Sequence, residues 1–132
     1  MKRIVHFEIH ASQPEKLIDF YKNLFGWEFK KWENSDTEYW MIMTGPEGTK
    51  DLGINGGLVK RMGPSPEPRQ PVSAFVCTID VSNIDESVNK AVELGAKIAL
   101  PKQAIPGMAW LAYCIDTDGN IFGMFQEDKN AK

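Results

Sequence analysis

Three polar side chains, His6, Glu8 and His10, alternate with Val5, Phe7 and Ile9 along one short stretch. In an extended chain successive side chains point to opposite faces, so these three share a side. Residues two apart lie about 7 Å from each other along a strand. His6 and Glu8 could therefore bend toward one divalent ion, with a water completing the set. Glu8 could instead act as a general base, provided burial raises its pKa. The plainer alternative makes His6 a hydrogen-bonded pocket histidine, Glu8 its polar neighbour, and His10 an exposed residue at the strand end. Other chemistry is not encoded. Gly53-Ile54-Asn55-Gly56-Gly57 lacks the Lys-Ser/Thr of a phosphate loop. No serine elbow, paired-cysteine metal motif or nucleic-acid module is present.

The elements that must position these residues fit one domain of 132 residues, 42% hydrophobic and 25% charged. With 15 basic and 18 acidic side chains the net charge is −3. Nothing in that balance attracts nucleic acid or an anionic membrane. Cys77 and Cys114 sit in apolar stretches and read as buried free thiols. The N-terminus has no apolar leader pattern, and no run approaches the ~20 apolar residues of a membrane span. A cytoplasmic location is expected.

Alternation predicts a strand over Arg3–Ile9. Ser12 with Glu15 reads as a capping box, and Pro14 fits the first helical turn. Leu17, Phe20, Tyr21 and Leu24 form a helical stripe that Gly26 stops. Strands follow at Trp27–Trp32, Glu38–Thr44 and Ile54–Lys60. Gly56 and Gly57 in the last mark a bulge or a close approach. Pro64, Pro66, Pro68 and Pro71 stiffen a linker over residues 61–71. The second half repeats the first. A strand is predicted over Val72–Val81. A helix follows, capped by Ser82 with Asp85, striped by Ile84, Val88, Ala91 and Val92, and stopped by Gly95. Strands then run over Lys97–Leu100, Met108–Ile115 and Ile121–Gln126, the last two joined by an Asp116-Thr117-Asp118-Gly119 turn. The domain thus holds two βαβββ modules, 1–60 and 72–132, whose paired inner faces would enclose a small-molecule cleft.

Over nearly its whole length the chain resembles the vicinal-oxygen-chelate superfamily, which includes glyoxalase I, bleomycin-resistance proteins and extradiol dioxygenases. The carriers are His6, Asp19-Phe20-Tyr21, Leu24-Phe25-Gly26-Trp27, Gly53-Ile54-Asn55-Gly56-Gly57, and Asp116-Thr117-Asp118-Gly119-Asn120 leading into Phe122-Gly123-Met124-Phe125. With Pro106-Gly107, the last stretch is similar to the glyoxalase-related subgroup of unestablished activity. The resemblance implies an α+β fold with a U-shaped, eight-stranded mixed sheet, and a homodimer. It also implies four metal-ligand positions. His6 matches the first. The second falls within Asn55-Gly56-Gly57, where there is no acid; the third falls at Ala74 and the fourth at Gly123. A catalytic divalent ion needs about three protein ligands and an open position, so no metal or other cofactor is expected.

The sequence therefore predicts a metal-independent small-molecule binder, with His6, Glu8 and Asn55 as polar contacts and Trp110 and Phe125 as apolar walls. The rivals are a lyase or isomerase using Glu8, His6 or a metal in a changed site, and a structural or interaction module with a filled interior.

Overall fold

In the computed structural model, residues 3–33 and 36–132 are described. The chain divides into two units, Met1–Ser65 and Pro66–Lys132, with the boundary inside the proline-rich stretch.

The first unit runs β1 (Phe7–Ala11), α1 (Pro14–Phe25), β2 (Glu28–Lys31), β3 (Tyr39–Met43) and β4 (Gly56–Lys60). Its sheet has the order β1-β4-β3-β2. β1 pairs with β4 in parallel, and the other neighbours are antiparallel. Apolar alternation decides which face α1 covers: Leu17, Phe20 and Tyr21 of the helix are buried with Ala11, Trp27, Trp40, Ile42 and Leu58. Trp27 anchors this core, stacked on Tyr21 at 5.2 Å and tilted against Phe7 at 6.0 Å between ring centroids.

The second unit repeats the topology with β5 (Thr78–Asp80), α2 (Ile84–Glu93), β6 (Lys97–Ile105), β7 (Ala109–Ile115) and β8 (Ile121–Glu127). The order is β5-β8-β7-β6, again with one parallel pair, β5 with β8. Ile84 and Ala91 of α2 are buried with Ala112, Cys114, Phe122 and Met124. The βαβββ repeat expected from sequence is thus present twice, each copy a four-stranded mixed sheet with one helix.

Both first strands are shorter than alternation suggests. Only Phe7–Ala11 and Thr78–Asp80 find ladder partners. Residues 3–6 and 72–77 carry strand-like patterning but lie outside the ladders, and Ile4, Val5, Val72 and Phe75 are exposed. β6 is instead longer than expected and continues past Pro101. Its pairing with β7 breaks register between Ile98 and Leu100 and again between Leu100 and Gln103. A proline is tolerated where an edge strand bulges.

Each helix is capped one residue later than expected. Gln13 is the cap residue of α1 and makes no side-chain cap bond. Ser12 is engaged elsewhere: its hydroxyl accepts from Arg61 Nε at 3.1 Å and lies 2.6 Å from the Ser65 hydroxyl. In α2 the cap is Asn83, whose Oδ1 accepts from the Glu86 N–H at 3.1 Å. The C-termini follow the sequence. Gly26 takes φ +74°, and its N–H bonds the Lys22 carbonyl at 2.9 Å. Gly95 takes φ +107° in a Schellman arrangement, with Ala96 N–H on the Ala91 carbonyl and Gly95 N–H on that of Val92.

Cys114 is buried, and burial raises its thiol pKa. Cys77, expected to be buried, is exposed, because it precedes β5 in the stretch without a ladder partner.

Candidate functional site on the open face of the first sheet

Directly opposed residues in a sheet share a face. The register therefore maps the face of the first sheet that α1 leaves open. One row across the strands is Lys30, Met41, Gly57 and Glu8. The next is Tyr39, Val59 and His10, with Trp32 beyond Tyr39: the Trp32 N–H bonds the Tyr39 carbonyl at 2.9 Å. His6 lies two residues before Glu8 and so belongs to the same face.

Gly57 sits at the centre, and Tyr39 occupies the space a side chain there would take. A Cβ on Gly57 would meet the Tyr39 hydroxyl at 1.8 Å. Gly56 faces the other way; a Cβ there would meet the Phe7 carbonyl oxygen at 2.5 Å and the Phe7 ring at 2.8 Å. The two glycines thus serve two faces. Gly56 lets β1 and its Phe7 close down on β4 under the helix, and Gly57 lets the Tyr39 ring lie flat across the open side.

Tyr39 is the hub of this face. Its hydroxyl stands 3.2 Å from His6 Nε2 and hydrogen-bonds the Glu8 carboxylate. Its ring meets Trp32 edge-on at 5.9 Å between centroids. His6 Nε2 is 3.6 Å from Glu8 Oε2, beyond hydrogen-bond length. A phenol has one proton, and a carboxylate attracts it more strongly than a neutral ring nitrogen does. Tyr39 therefore donates to Glu8 and accepts from His6 Nε2–H. Burial first, then the charge of Glu8 and the bond to it, raise the phenol pKa above its ordinary value. The hydroxyl is thus a neutral donor across the physiological range.

Of the residues singled out from sequence, His6 and Glu8 come together here. Asn55 precedes Gly56, and its Oδ1 accepts from the Thr44 N–H at 2.9 Å, which ties the end of β3 to the start of β4. Phe125 lies on the open face of the second sheet, opposite Leu111 and two residues from Gly123. Trp110 does not join it. It pairs with Gln126, on the face shared by Ala112–Met124 and Cys114–Phe122 under α2. There its Nε1–H donates to Asp128 Oδ2 at 2.9 Å, Lys102 Nζ lies 4.4 Å from its ring centroid, and Gln126 Oε1 caps the Ile84 N–H. Trp110 thus lies on the helix side of its sheet, on the opposite face from Phe125. Tyr39 joins His6 and Glu8 without a sequence signal of its own: alternation gives its strand, but the register that lays it over Gly57 depends on pairing across the sheet.

The second unit supplies an internal control. Thr78 opposes Gly123 as Glu8 opposes Gly57. A Cβ on Gly123 would meet Thr78 Oγ1 at 2.8 Å and Tyr113 Cε1 at 2.9 Å. Counting back two residues places Val76, rather than Ala74, at the repeat position of His6.

These residues do not fit a divalent ion. Gly123, at one position where the superfamily resemblance puts a ligand, and Gly57, in the stretch that holds another, are each covered by a tyrosine. Among the described residues, no three His, Cys, Asp or Glu side chains gather to hold one. No helix among the described residues is long and apolar enough to cross a membrane.

Known structures share the fold. A glyoxalase family protein from Bacillus cereus superposes with a TM-score of 0.71 at 16% identity, over 96% of this chain and 95% of that one. The trypanothione-dependent glyoxalase I of Leishmania major gives 0.72 at 18% identity, over 96% and 87%. A genomically encoded fosfomycin resistance protein from Listeria monocytogenes gives 0.68 at 15% identity, over 96% and 93%. No curated protein matches the sequence. The family model that does match spans residues 3–124, and the chain belongs to the Glyoxalase/Bleomycin resistance protein/Dioxygenase superfamily.

Proposed function

We propose that this chain is a small-molecule-binding member of the superfamily that holds its ligand on the open face of the first sheet without a metal ion. The observation that carries the proposal is Tyr39, whose hydroxyl fills the space above Gly57 and ties His6 to Glu8. Where the resemblance would put a metal carboxylate, the face offers an organic donor and acceptor set. His6, Glu8 and Tyr39 give directional contacts, Asn55 borders them, and Met41 and Val59 supply apolar surface. Phe125 adds apolar surface to the open face of the second sheet. The protein would sequester or deliver its ligand.

The same network supports a second reading, a lyase or isomerase. Glu8 would take a proton from the substrate while Tyr39, which already donates to it, returns one. A homodimer is part of the same proposal, as the superfamily resemblance implies.

The test is a thermal-shift ligand screen on wild-type protein and on His6→Ala, Glu8→Gln and Tyr39→Phe, with native mass spectrometry for metal and oligomeric state. Losing a hydrogen bond to a charged group costs roughly 1.5–3 kcal/mol, so each hit should weaken about tenfold or more in Glu8→Gln. Hits indifferent to all three variants, or one tightly bound divalent ion per chain that is lost in His6→Ala, would overturn the proposal. Turnover of a hit, abolished in Glu8→Gln, would promote the second reading.

A further inference from the structure

Resting on that reading, the open face also specifies a class of ligand. We infer that it takes a protonated organic amine carried on a flat aromatic body, with the ammonium against Glu8 and the body across Tyr39 and Trp32.

Three observations converge on Tyr39. At its hydroxyl end stands Glu8, a carboxylate whose side chain keeps 44% of its surface accessible. At its ring stands Trp32, itself 52% exposed and edge-on at 5.9 Å. Beside it lies Met41, 39% exposed and opposite Gly57. A carboxylate at one end of an aromatic and methionine surface is the arrangement that pairs with an ammonium group. The carboxylate gives a charge-assisted hydrogen bond, and the ring faces add cation–π and stacking contact. Tyr39 already donates to Glu8, which holds the carboxylate in one orientation with its other lone pairs open to a ligand donor.

The charge beside the Tyr39 hydroxyl opposes an anionic group at that end of the face. Lys30 lies at the other end of the row, opposite Met41 and three strands from Glu8, roughly 14 Å at the backbone, so a group held at Glu8 is clear of it. His6 occupies the far side of the Tyr39 hydroxyl as a hydrogen-bond partner. An anion placed over Tyr39 would meet the Glu8 carboxylate. A neutral ligand would leave it without a charged partner.

The experiment uses three probes with one aromatic body and different charge: tryptamine, indole-3-ethanol and indole-3-acetate. Calorimetry gives affinities, and amide chemical-shift mapping locates each probe. Tryptamine should bind at least tenfold more tightly than the other two, and should shift the Gly57 amide and the Trp32 indole N–H. Glu8→Gln should erase that preference while leaving weak binding of all three. Trp32→Ala should weaken tryptamine and indole-3-ethanol alike. Circular dichroism on the variants, both at exposed positions, reports that the fold is kept. Equal or tighter binding of indole-3-acetate at the same amides would overturn the amine assignment and leave the ligand face standing. Tryptamine binding that Glu8→Gln does not change, or no binding by any probe, would also overturn it. The ligand screen then decides the broader proposal separately.

Discussion

The two units of this chain have one topology and two chemistries. In each, the first strand lies parallel to the last, and a glycine on the last strand faces outward under a tyrosine. The tyrosines arrive differently. Tyr113 comes from directly across its glycine, Gly123. Tyr39 opposes Val59 and reaches diagonally over Gly57. The residue opposite the glycine differs as well: Glu8 in the first unit and Thr78 in the second. Only in the first unit does the tyrosine hydroxyl link a histidine and a carboxylate. A duplicated scaffold thus separates what the fold requires, a cross-strand aromatic covering a glycine, from what a ligand requires, a charged acceptor beside it.

That comparison can be broken most sharply at the glycines. Gly56→Ala places a methyl group against the backbone oxygen of Phe7 and should cost about 1–3 kcal/mol in urea unfolding. Gly57→Ala meets only the far end of Tyr39, so its stability loss should be smaller. Ligand affinity should nonetheless fall, because Tyr39 must leave Glu8. If Gly57→Ala proves as destabilising as Gly56→Ala, the Tyr39 ring is part of the core rather than a contact surface. The helices give the next contrast. Asn83→Ala should cost about 1 kcal/mol, and Gln13→Ala a few tenths, since only Asn83 makes a side-chain cap bond. Equal losses would show that Gln13 caps α1 in solution.

Two titrations sharpen the contrast further, with smaller effects. The Tyr39 phenol should ionise above its ordinary 10.0 when followed by ultraviolet absorbance, and Glu8→Gln should bring it part of the way back. Because the folded pKa is the higher one, the associated stability is intact below the unfolded value and fades as pH rises through the folded value. Asp128 goes the other way. The Asn130 N–H first, then the Trp110 indole N–H and Lys102, hold its carboxyl below the ordinary 3.8. Its contribution is present above the unfolded value and is lost as pH falls through the folded one. In a carboxyl NMR titration, Trp110→Phe should raise it.

Much of this was legible in the sequence because it is local. The αL residue after α1 needs a glycine, and Gly26 announces it. The turn before β8 closes on Asp116, whose Oδ1 accepts the Asp118 and Asn120 N–H groups at 2.8 and 3.0 Å, and its Asp-Thr-Asp-Gly spelling gives it away. The cap of α1 falls one residue later than the spacing suggests because Ser12 has a competing bond to Arg61, 49 positions away. The face of Trp110 and the reach of Tyr39 were not legible, since both depend on register, and a slip of one residue inverts every side chain. His6 and Glu8 could be named from spacing alone; their link could not, because it runs through a residue from another strand.

The breaks in β6 have a consequence for life in a crowded solution. β6 is the outer strand of its sheet, and an outer strand offers its free backbone groups to any extended chain that drifts past. Here the offer is withdrawn. Pro101 removes a donor, two register shifts bend the strand, and the exposed Lys97 adds a charge to it. A regularised β6, with Pro101 replaced by valine and Lys97 by threonine, would keep its pairing to β7 and become a template for fibre-like stacking of this chain upon itself.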